Sequence, residues 1–149
     1  MPETESVLQP IIDKSYGIIP VFPTKPRQYL LIYQAKGYWS FPKGHKELSE
    51  SNLQTARREL FEETGIEDVQ LISNKTFSCT YKFFYEKMAI SKTVTYVLGY
   101  VKSQEVHVDN KETINFFWGD YVACRKKLRH KTNKRLLASV DLYLNVYAF

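Results

Sequence analysis

The chain has 149 residues, of which 44% are hydrophobic and 25% are charged. This length corresponds to one domain with a substantial core, and the composition excludes an intrinsically disordered protein. The net charge of +5 favours a polyanionic ligand, but it is too small to indicate nucleic-acid binding by itself. No stretch reaches the roughly 18 apolar residues of a membrane helix, and no signal peptide is evident. Cys79 and Cys124 lack CxxC spacing, so we expect reduced thiols in a cytoplasmic protein. We also expect the protein to be a monomer.

The first 13 residues are polar and acidic, which predicts a loose N-terminal arm (1–13) and leaves residues 14–149 as one folded domain. Residues 14–22 are rich in β-formers. Pro20 cannot donate to a sheet hydrogen bond, so we expect this strand to lie at an edge or to contain a bulge. Residues 28–33 form a second apolar, β-prone run. We expect the two runs to pair as a hairpin.

A helix is predicted after Ser51, because the preceding residues 37–50 contain repeated glycine and proline and are typical of a loop. Ser51 and Gln54 have the spacing of a capping box, in which each side chain accepts a hydrogen bond from the backbone of the other residue. Gly65 stands where a helix commonly ends in a left-handed residue. The expected buried stripe of this helix consists of Leu53, Ala56 and Leu60.

The segments after this helix favour strands. Residues 67–76 predict a weak strand, whereas residues 77–85 and 94–100 alternate with the period of two that is typical of a half-buried strand. We expect the two alternating segments to form a hairpin around a loop at 86–91. Residues 102–113 are polar and are expected to form a surface loop.

The end of the chain predicts one strand and two helices. Residues 114–118 are typical of a strand, Asp120 is expected to cap a helix over 121–128, and Thr132 is expected to cap a helix over 133–147. This order of elements predicts an α/β protein, in which a mixed β-sheet is flanked by helices. The buried stripe of the last helix is expected to be Leu136, Leu137, Val140 and Leu144.

Three glutamates crowd the end of the first predicted helix. Glu59, Glu62 and Glu63 share an arc of about 100° on that helix, where like charges repel one another. Bound Mg²⁺ removes this conflict, since it prefers carboxylate oxygens and usually also contacts substrate phosphates. Arg58 lies four residues before Glu62 and can hold its carboxylate. A solvated acidic helix with ordinary ion pairs is the alternative interpretation.

The stretch 44–66 resembles the Nudix box, whose pattern is Gx5Ex7REUxEExGU with U a bulky aliphatic residue. The resemblance implies a Nudix α/β/α sandwich from about residue 14 to residue 147. It also implies metal-dependent hydrolysis of a phosphoanhydride. The matching positions are Gly44, Glu50, Arg58, Glu59, Leu60, Glu62, Glu63, Gly65 and Ile66.

A narrower resemblance comes from the run FPKGH and from residues further along the chain. This run is similar to the diadenosine tetraphosphate (Ap4A) hydrolase branch of the Nudix proteins, which commonly read PKGHxExGE; here Ser49 replaces the glycine. The resemblance implies asymmetric cleavage of Ap4A to ATP and AMP. Lys43 can neutralise phosphate oxygens, and His45 either bonds a phosphate or braces the loop. Tyr85 and Lys92 match the branch in spacing and are implied to reach the polyphosphate.

The resemblance also assigns roles in catalysis. It implies that Mg²⁺, with Mn²⁺ as the alternative, is held by Glu59, Glu62, Glu63 and the Gly44 carbonyl. Glu112 lies six residues before Trp118, as in the branch, and is implied to be a further metal ligand or the base near the attacking water. Either Glu112 or Glu59 takes the proton of that water. The residues implied to support the carboxylate cluster are Arg58 and Glu50.

Two features leave the substrate open. Phe117 and Tyr121 either stack on an adenine or belong to the core. The basic residues of 125–135 form either a solvated helix face or a polyanion-binding surface. The partner that the resemblance implies is a small dinucleoside polyphosphate, and no membrane partner is expected. An RNA 5′-pyrophosphohydrolase and a non-catalytic nucleotide or RNA binder are the alternatives.

Overall fold

In the computed structural model, which describes residues 9–147, eight strands form one sheet and three helices pack against it. The strands are β1 (Ile11–Phe22), β2 (Gln28–Gln34), β3 (Tyr38–Ser40), β4 (Lys43–His45), β5 (Val69–Leu71), β6 (Phe77–Tyr85), β7 (Met88–Val101) and β8 (Thr113–Gly119). The helices are α1 (Asn52–Thr64), α2 (Tyr121–Lys127) and α3 (Lys131–Tyr147). Strands β1 and β7 form the centre of the sheet and pair in parallel, from Ile11 opposite Ile90 to Val21 opposite Tyr100.

The core has two parts, one on each face of the sheet, because successive side chains of a strand point to opposite faces. Ile18 in β1 belongs to the cluster that contains Ala56 and Leu60 of α1, whereas Ile19 belongs to the cluster that contains Leu137 of α3. Helix α1 therefore covers one face, and α2 and α3 cover the other. This arrangement confirms the predicted mixed α/β sandwich.

Helix α1 begins and ends as predicted. The Ser51 side chain accepts from the Gln54 N–H at 3.1 Å, and the Gln54 side chain accepts from the Ser51 N–H at 2.8 Å. Gly65 has φ = 75° and its N–H donates to the Phe61 carbonyl at 2.8 Å, which closes the last turn. Leu53 is exposed, so the buried stripe of α1 is carried by Ala56 and Leu60. Among the described residues, no helix is long and apolar enough to cross a membrane.

The start of the sheet differs from the prediction. Strand β1 begins at Ile11, so the last residues of the predicted arm are part of the sheet, while residues 1–8 lie outside the described residues. Pro20 is also not on an edge strand. It falls between the segment of β1 that pairs with β4, which ends at Gly17, and the segment that pairs with β2, which begins at Val21. Because neither β4 nor β2 pairs with Pro20, neither strand requires the N–H group that proline lacks.

Other boundaries also shift. The loop predicted at 86–91 is a two-residue turn, since β6 ends at Tyr85 and β7 begins at Met88. The two turn residues, Glu86 and Lys87, both have positive φ, as a two-residue type I′ hairpin turn requires. Helix α3 begins at Lys131, not 133, and Lys134 N–H bonds the His130 carbonyl at 3.1 Å. Thr132 therefore lies inside the first turn and does not cap the helix.

Candidate active site

The floor of the candidate site is formed where β4 meets the last turns of α1. Strand β4 pairs with Ser15, Tyr16 and Gly17 of β1, which places Gly44 beside the side chain of Glu59. A Cβ at Gly44 would lie only 2.0 Å from the Glu59 carboxyl carbon. The glycine is thus required by close packing, and it brings the backbone of β4 next to a carboxylate.

Glu63 is a buried carboxylate at the base of this floor. It is 4% exposed, and it accepts hydrogen bonds from the Lys43 N–H at 2.9 Å and from the Gln34 amide at 3.3 Å. Burial raises the pKa of Glu63 to about 8, the Gln34 hydrogen bond opposes this rise, and the nearby Glu59 charge adds to it. A group with this pKa is largely protonated at pH 7 unless a cation compensates its charge.

Glu59 lies beside Glu63 and is subject to the same conflict. Burial raises the pKa of Glu59, the Arg58 hydrogen bond lowers it, and the charges of Glu62 and Glu112 raise it further. Arg58 Nη1 bonds Glu59 at 3.0 Å and Glu62 at 2.9 Å. Glu62 is half-exposed, so its carboxylate lies at the solvent side of the cluster.

Arg58 also ties the loop before α1 to the helix. Its Nε and Nη2 donate to the two oxygens of Glu50 at 2.6 and 3.0 Å, and Nη2 donates to the His45 carbonyl at 2.9 Å. Glu50 also accepts from the Thr55 hydroxyl at 2.9 Å. The Arg58 hydrogen bonds lower the pKa of Glu50 to about 2. Glu50 therefore remains ionised and positions Arg58, which in turn positions the carboxylates of Glu59 and Glu62.

Cationic residues and the carboxylates line the same cavity of about 500 Å³, which we call the acidic cavity. Lys43 and Lys92 line it, and burial followed by the charge of Lys43 lowers the pKa of Lys92. Lys36 and Lys111 also line this cavity. Carboxylates and lysines thus line one space, as expected for a site that binds a metal ion together with an anionic ligand.

His45 lines the acidic cavity and is braced by a residue that the sequence interpretation assigned to the arm. His45 Nε2 lies 2.7 Å from Asp13 Oδ1, and Asp13 belongs to β1. Asp13 also lies opposite Lys92 in the β1–β7 ladder. Strand β1 therefore brings Asp13 close to two residues of the cavity lining, His45 through its antiparallel pairing with β4 and Lys92 through its parallel pairing with β7.

Glu112 lines the same cavity from the loop that precedes β8. Its N–H donates to Asp109 Oδ1 at 3.1 Å, and its carbonyl accepts from the Ala35 N–H at 2.7 Å. The backbone of Glu112 is thus fixed at both ends while its side chain is exposed. Glu112 thus lines the same cavity as Glu59 and Glu63, and its role as a base or a further ligand stays a prediction.

A second cavity of about 450 Å³ adjoins the first, and it was not anticipated from the sequence. The two cavities share Lys36, Tyr38, Lys43 and Lys92 as lining residues. The His130 ring lies 6.3 Å from the Tyr38 ring and 6.1 Å from the Tyr81 ring, both edge to face. We call this space the aromatic pocket. Its residues are Tyr38, Tyr81, His130, Phe83, Asn133 and the shared lysines, with Ser40, Lys82 and Tyr96 completing the lining.

Three predicted substrate residues lie away from both cavities. Tyr85 is 63% exposed beside the β6–β7 turn, and it lines neither cavity. Phe117 packs edge to face on Trp39 at 6.3 Å, with Lys127 Nζ 4.6 Å from its ring centroid. Tyr121 is also packed against the core, and its hydroxyl accepts from Arg125 at 3.1 Å. The core alternative for Phe117 and Tyr121 is the one that the geometry favours.

The carboxylates fit Mg²⁺ in their chemistry. Among residues 9–147, no group of three or more His, Cys, Asp or Glu side chains is arranged as a complete metal site. Glu59 and Glu63 nevertheless provide hard oxygen donors, and burial raises the pKa of both carboxyls, so a bound cation would favour their charged form. Glu62 completes the donor set if it exchanges its bond to Arg58 for a metal ion. The carbonyl of Gly44 is carried by the same strand that packs on Glu59.

The fold and this carboxylate floor define a family. The model of the NUDIX domain matches residues 13–140, which is most of the chain. The chain belongs to the NUDIX family.

Two relatives named for their activity match part of the chain. The asymmetrical bis(5′-nucleosyl)-tetraphosphatase of Rattus norvegicus is 38% identical over 93 residues, which cover 61% of this chain and 62% of that protein. The protein of the same name from Sus scrofa is 39% identical over 94 residues, with the same coverage. The chain therefore spans less than two thirds of the length of the curated relatives that it matches.

Solved structures agree with the fold over a longer range. An Ap4A hydrolase of C. elegans in a binary complex superposes with a TM-score of 0.79 at 21% identity, covering 91% of this chain and 99% of that one. The dihydroneopterin triphosphate pyrophosphohydrolase of E. coli superposes with a TM-score of 0.69 at 15% identity, covering 87% and 95%. At these identities the likeness shows the fold alone.

Proposed function

We propose that the protein hydrolyses dinucleoside polyphosphates and cleaves Ap4A asymmetrically to ATP and AMP. The observation that carries the proposal is that the two cavities adjoin. The acidic cavity has the carboxylates and lysines that a polyphosphate requires, and it shares Lys36, Tyr38, Lys43 and Lys92 with a pocket lined by rings. An aromatic pocket suits a nucleobase, because every base has a flat face on which a ring can pack.

The proposed cofactor is Mg²⁺, with Mn²⁺ as the alternative. The residues that would hold it are Glu59, Glu62 and Glu63, with the Gly44 carbonyl. When bound, the ion would acidify a water molecule and neutralise charge on the leaving phosphate. Arg58 and Glu50 keep the carboxylates in place through the hydrogen bonds described above.

Lys43, Lys92 and His45 would hold the phosphates in the acidic cavity. Lys43 is anchored by the bond from its N–H to Glu63, so its position is coupled to that of the carboxylate floor. His45 is anchored by Asp13. These cations would stabilise the negative charge that develops on the transferred group, which is commonly the largest contribution to phosphoryl transfer.

Either Glu112 or Glu59 would accept the proton of the attacking water. Glu112 lines the cavity and is exposed, whereas Glu59 is packed on Gly44. A general base contributes typically 10²–10⁴-fold. Comparing the pH–rate profiles of Glu112→Gln and Glu59→Gln separates the two roles: loss of the base removes the acidic limb, whereas loss of a metal ligand raises the metal concentration required.

Product analysis tests the proposal. Purified protein is incubated with Ap4A and Mg²⁺, and nucleotides are separated by anion exchange. Equal amounts of ATP and AMP support it, whereas two ADP molecules per substrate contradict the asymmetric pose. A Glu63→Gln preparation controls for contaminating hydrolases, because its residual rate measures them.

The second candidate is removal of pyrophosphate from RNA 5′ ends. One observation favours it: His130 of the aromatic pocket lies between Arg129 and Lys131 in the basic 125–135 segment. An RNA chain leaving the pocket would meet this surface. Release of pyrophosphate from triphosphorylated RNA, in a preparation that leaves Ap4A intact, would favour this candidate over the first.

A further inference from the structure

Asn133 is a buried polar residue that the proposed chemistry does not use. It lies in the first turns of α3, it is 3% exposed, and it lines the aromatic pocket with Tyr81 and His130. A buried amide without hydrogen-bond partners costs about 1–3 kcal/mol, so the partners of its two polar atoms decide its role.

Both hydrogen bonds of the Asn133 side chain are made by its oxygen. The Tyr81 hydroxyl donates to Asn133 Oδ1, and the Cys79 thiol lies 3.8 Å from the same atom. Burial raises the pKa of Tyr81 well above its usual value, so the hydroxyl keeps its proton and remains a donor. The amide is therefore held with its oxygen toward β6.

The amide nitrogen is left for the pocket. Within the described residues, Asn133 Nδ2 donates to no protein acceptor, yet it is not among the fully buried polar atoms without partners. Since Asn133 lines the aromatic pocket, the space that remains accessible to Nδ2 is that pocket. The pocket thus presents a hydrogen-bond donor whose orientation is fixed by Tyr81.

The surrounding rings restrict what this donor can meet. Tyr38, Tyr81 and His130 favour a flat ligand, and the four lysines that line the pocket favour phosphates attached to it. A purine presents unprotonated ring nitrogens that accept hydrogen bonds in its plane. A donor fixed at the wall of the pocket would select a base with an acceptor at one ring position.

We propose that Asn133 is a specificity-determining residue, which donates a hydrogen bond from Nδ2 to one ring nitrogen of the adenine that occupies the aromatic pocket. The inference rests on the proposed function for the identity of the ligand. It adds that Asn133 recognises the base and that Nδ2 is the atom that makes the contact.

Binding of AMP tests the inference without catalysis. Calorimetry compares AMP with its 1-deaza, 3-deaza and 7-deaza analogues, each of which replaces one acceptor nitrogen by C–H. We expect one analogue to bind wild-type protein about three- to tenfold more weakly than AMP, the size of one net hydrogen bond. On Asn133→Leu, AMP and that analogue should bind equally. Equal binding of all four ligands to the wild type, or a loss that persists in Asn133→Leu, would overturn the inference.

A second variant keeps the test independent of packing around Asn133. Tyr81→Phe retains the ring but removes the hydroxyl that fixes the amide, so discrimination between AMP and the sensitive analogue should shrink. Undiminished discrimination would overturn the role of Tyr81. The outcomes also separate the two proposals. Cleavage of Ap4A without analogue discrimination overturns the role of Asn133 alone, and discrimination without cleavage overturns the proposed activity alone.

Discussion

The acidic cavity and the aromatic pocket are built from the chain in different ways. Two of the four carboxylates that line the acidic cavity, Glu59 and Glu63, come from α1, and β4 lies close to α1 in sequence. The aromatic pocket instead joins Tyr38 before β4, Tyr81 in β6 and His130 before α3. A local motif can specify the first region through spacing alone, whereas the second depends on sheet register and helix placement. We therefore expect substitutions in the two regions to affect different kinetic parameters.

The largest effect is expected at Glu63. Glu63→Gln removes the buried negative charge that the metal ion would compensate, while the amide keeps the shape and can still accept from the Lys43 N–H. The metal contribution is several kcal/mol, and each 1.36 kcal/mol is tenfold in rate, so kcat should fall by about a thousandfold.

Glu67→Gln is the matched control, since Glu67 is an exposed glutamate just beyond α1. It should keep the wild-type kcat, and both variants should show wild-type circular dichroism. A Glu63→Gln enzyme with the wild-type rate would contradict the assignment of Glu63 to the metal.

The next effect concerns pH and the metal. Because the pKa of Glu63 is raised to about 8, metal binding below that pH must displace a proton. The apparent affinity for Mg²⁺ should therefore rise by up to about tenfold per pH unit toward pH 8 and then level off. Calorimetry in buffers of different ionisation enthalpy measures the proton released. No proton release at pH 6.5 would contradict the raised pKa.

The same group affects stability without metal. A carboxyl whose folded pKa is raised stabilises the fold fully below its unfolded pKa of about 4.5 and loses that contribution as pH rises toward 8. Glu63→Gln lacks this titration. Its metal-free Tm should therefore match the wild type at low pH and exceed it at pH 9.

A smaller and selective effect is expected at Lys92. Lys92→Ala removes a cation that lines both cavities, so KM for Ap4A should rise by about tenfold, the size of one charged hydrogen bond. Short substrates such as ADP-ribose should be affected less. Lys87→Ala is the control, since Lys87 lies at the turn of the same hairpin. An equal rise for long and short substrates would remove Lys92 from the polyphosphate path.

The position of Lys92 also shows where sequence interpretation stopped. The capping box, the left-handed Gly65 and the carboxylate spacing are local, and the structure places each of them as predicted. The register of the β6–β7 hairpin depends on the length of its turn, and the composition of residues 86–91 does not determine that length. A two-residue turn places Tyr81 opposite Lys92, whereas the six-residue loop predicted at 86–91 gives no such pairing. Knowledge of the turn would have directed attention from Tyr85 to Tyr81.

Long-range pairing explains the other omissions. The polar neighbours of Asp13 predict an arm, and only the antiparallel pairing of β1 with β4 brings Asp13 to His45. Asn133 and His130 depend on how α3 packs against β6. No short-range pattern in the sequence encodes that contact.

The Asp13–His45 pair offers a test of the anchoring of the phosphate site. Asp13→Asn should raise KM for Ap4A by about threefold, since it weakens one hydrogen bond that fixes the imidazole. His45→Ala should cost at least as much, and the double variant should cost no more than His45→Ala alone. Additive losses would show that Asp13 acts independently of His45. Asp68→Asn, in an exposed pair with Lys102, serves as the control.

The smallest effect is expected at Ser49, which stands where the resembled branch has glycine. Ser49 has φ = 73°, in the left-handed region that costs a residue with a Cβ about 1–2 kcal/mol. Glycine removes this strain but loses about 0.5–1 kcal/mol through the entropy of the unfolded chain. Ser49→Gly should therefore raise the free energy of unfolding by up to about 1 kcal/mol, or Tm by about 2–4 °C.

Asn110 provides the matched control, because it also has positive φ, at 62°, but asparagine tolerates this conformation. Asn110→Gly should give a smaller gain than Ser49→Gly, and a lower Tm for Ser49→Gly would contradict the strain. Since Ser49 directly precedes Glu50, which holds Arg58, the same variant tests the comparison of the two regions. If the glycine loosens that anchor, kcat falls while AMP binding in the aromatic pocket is unchanged. If kcat also stays unchanged, the hydrogen bonds of Arg58 alone keep the carboxylates in place.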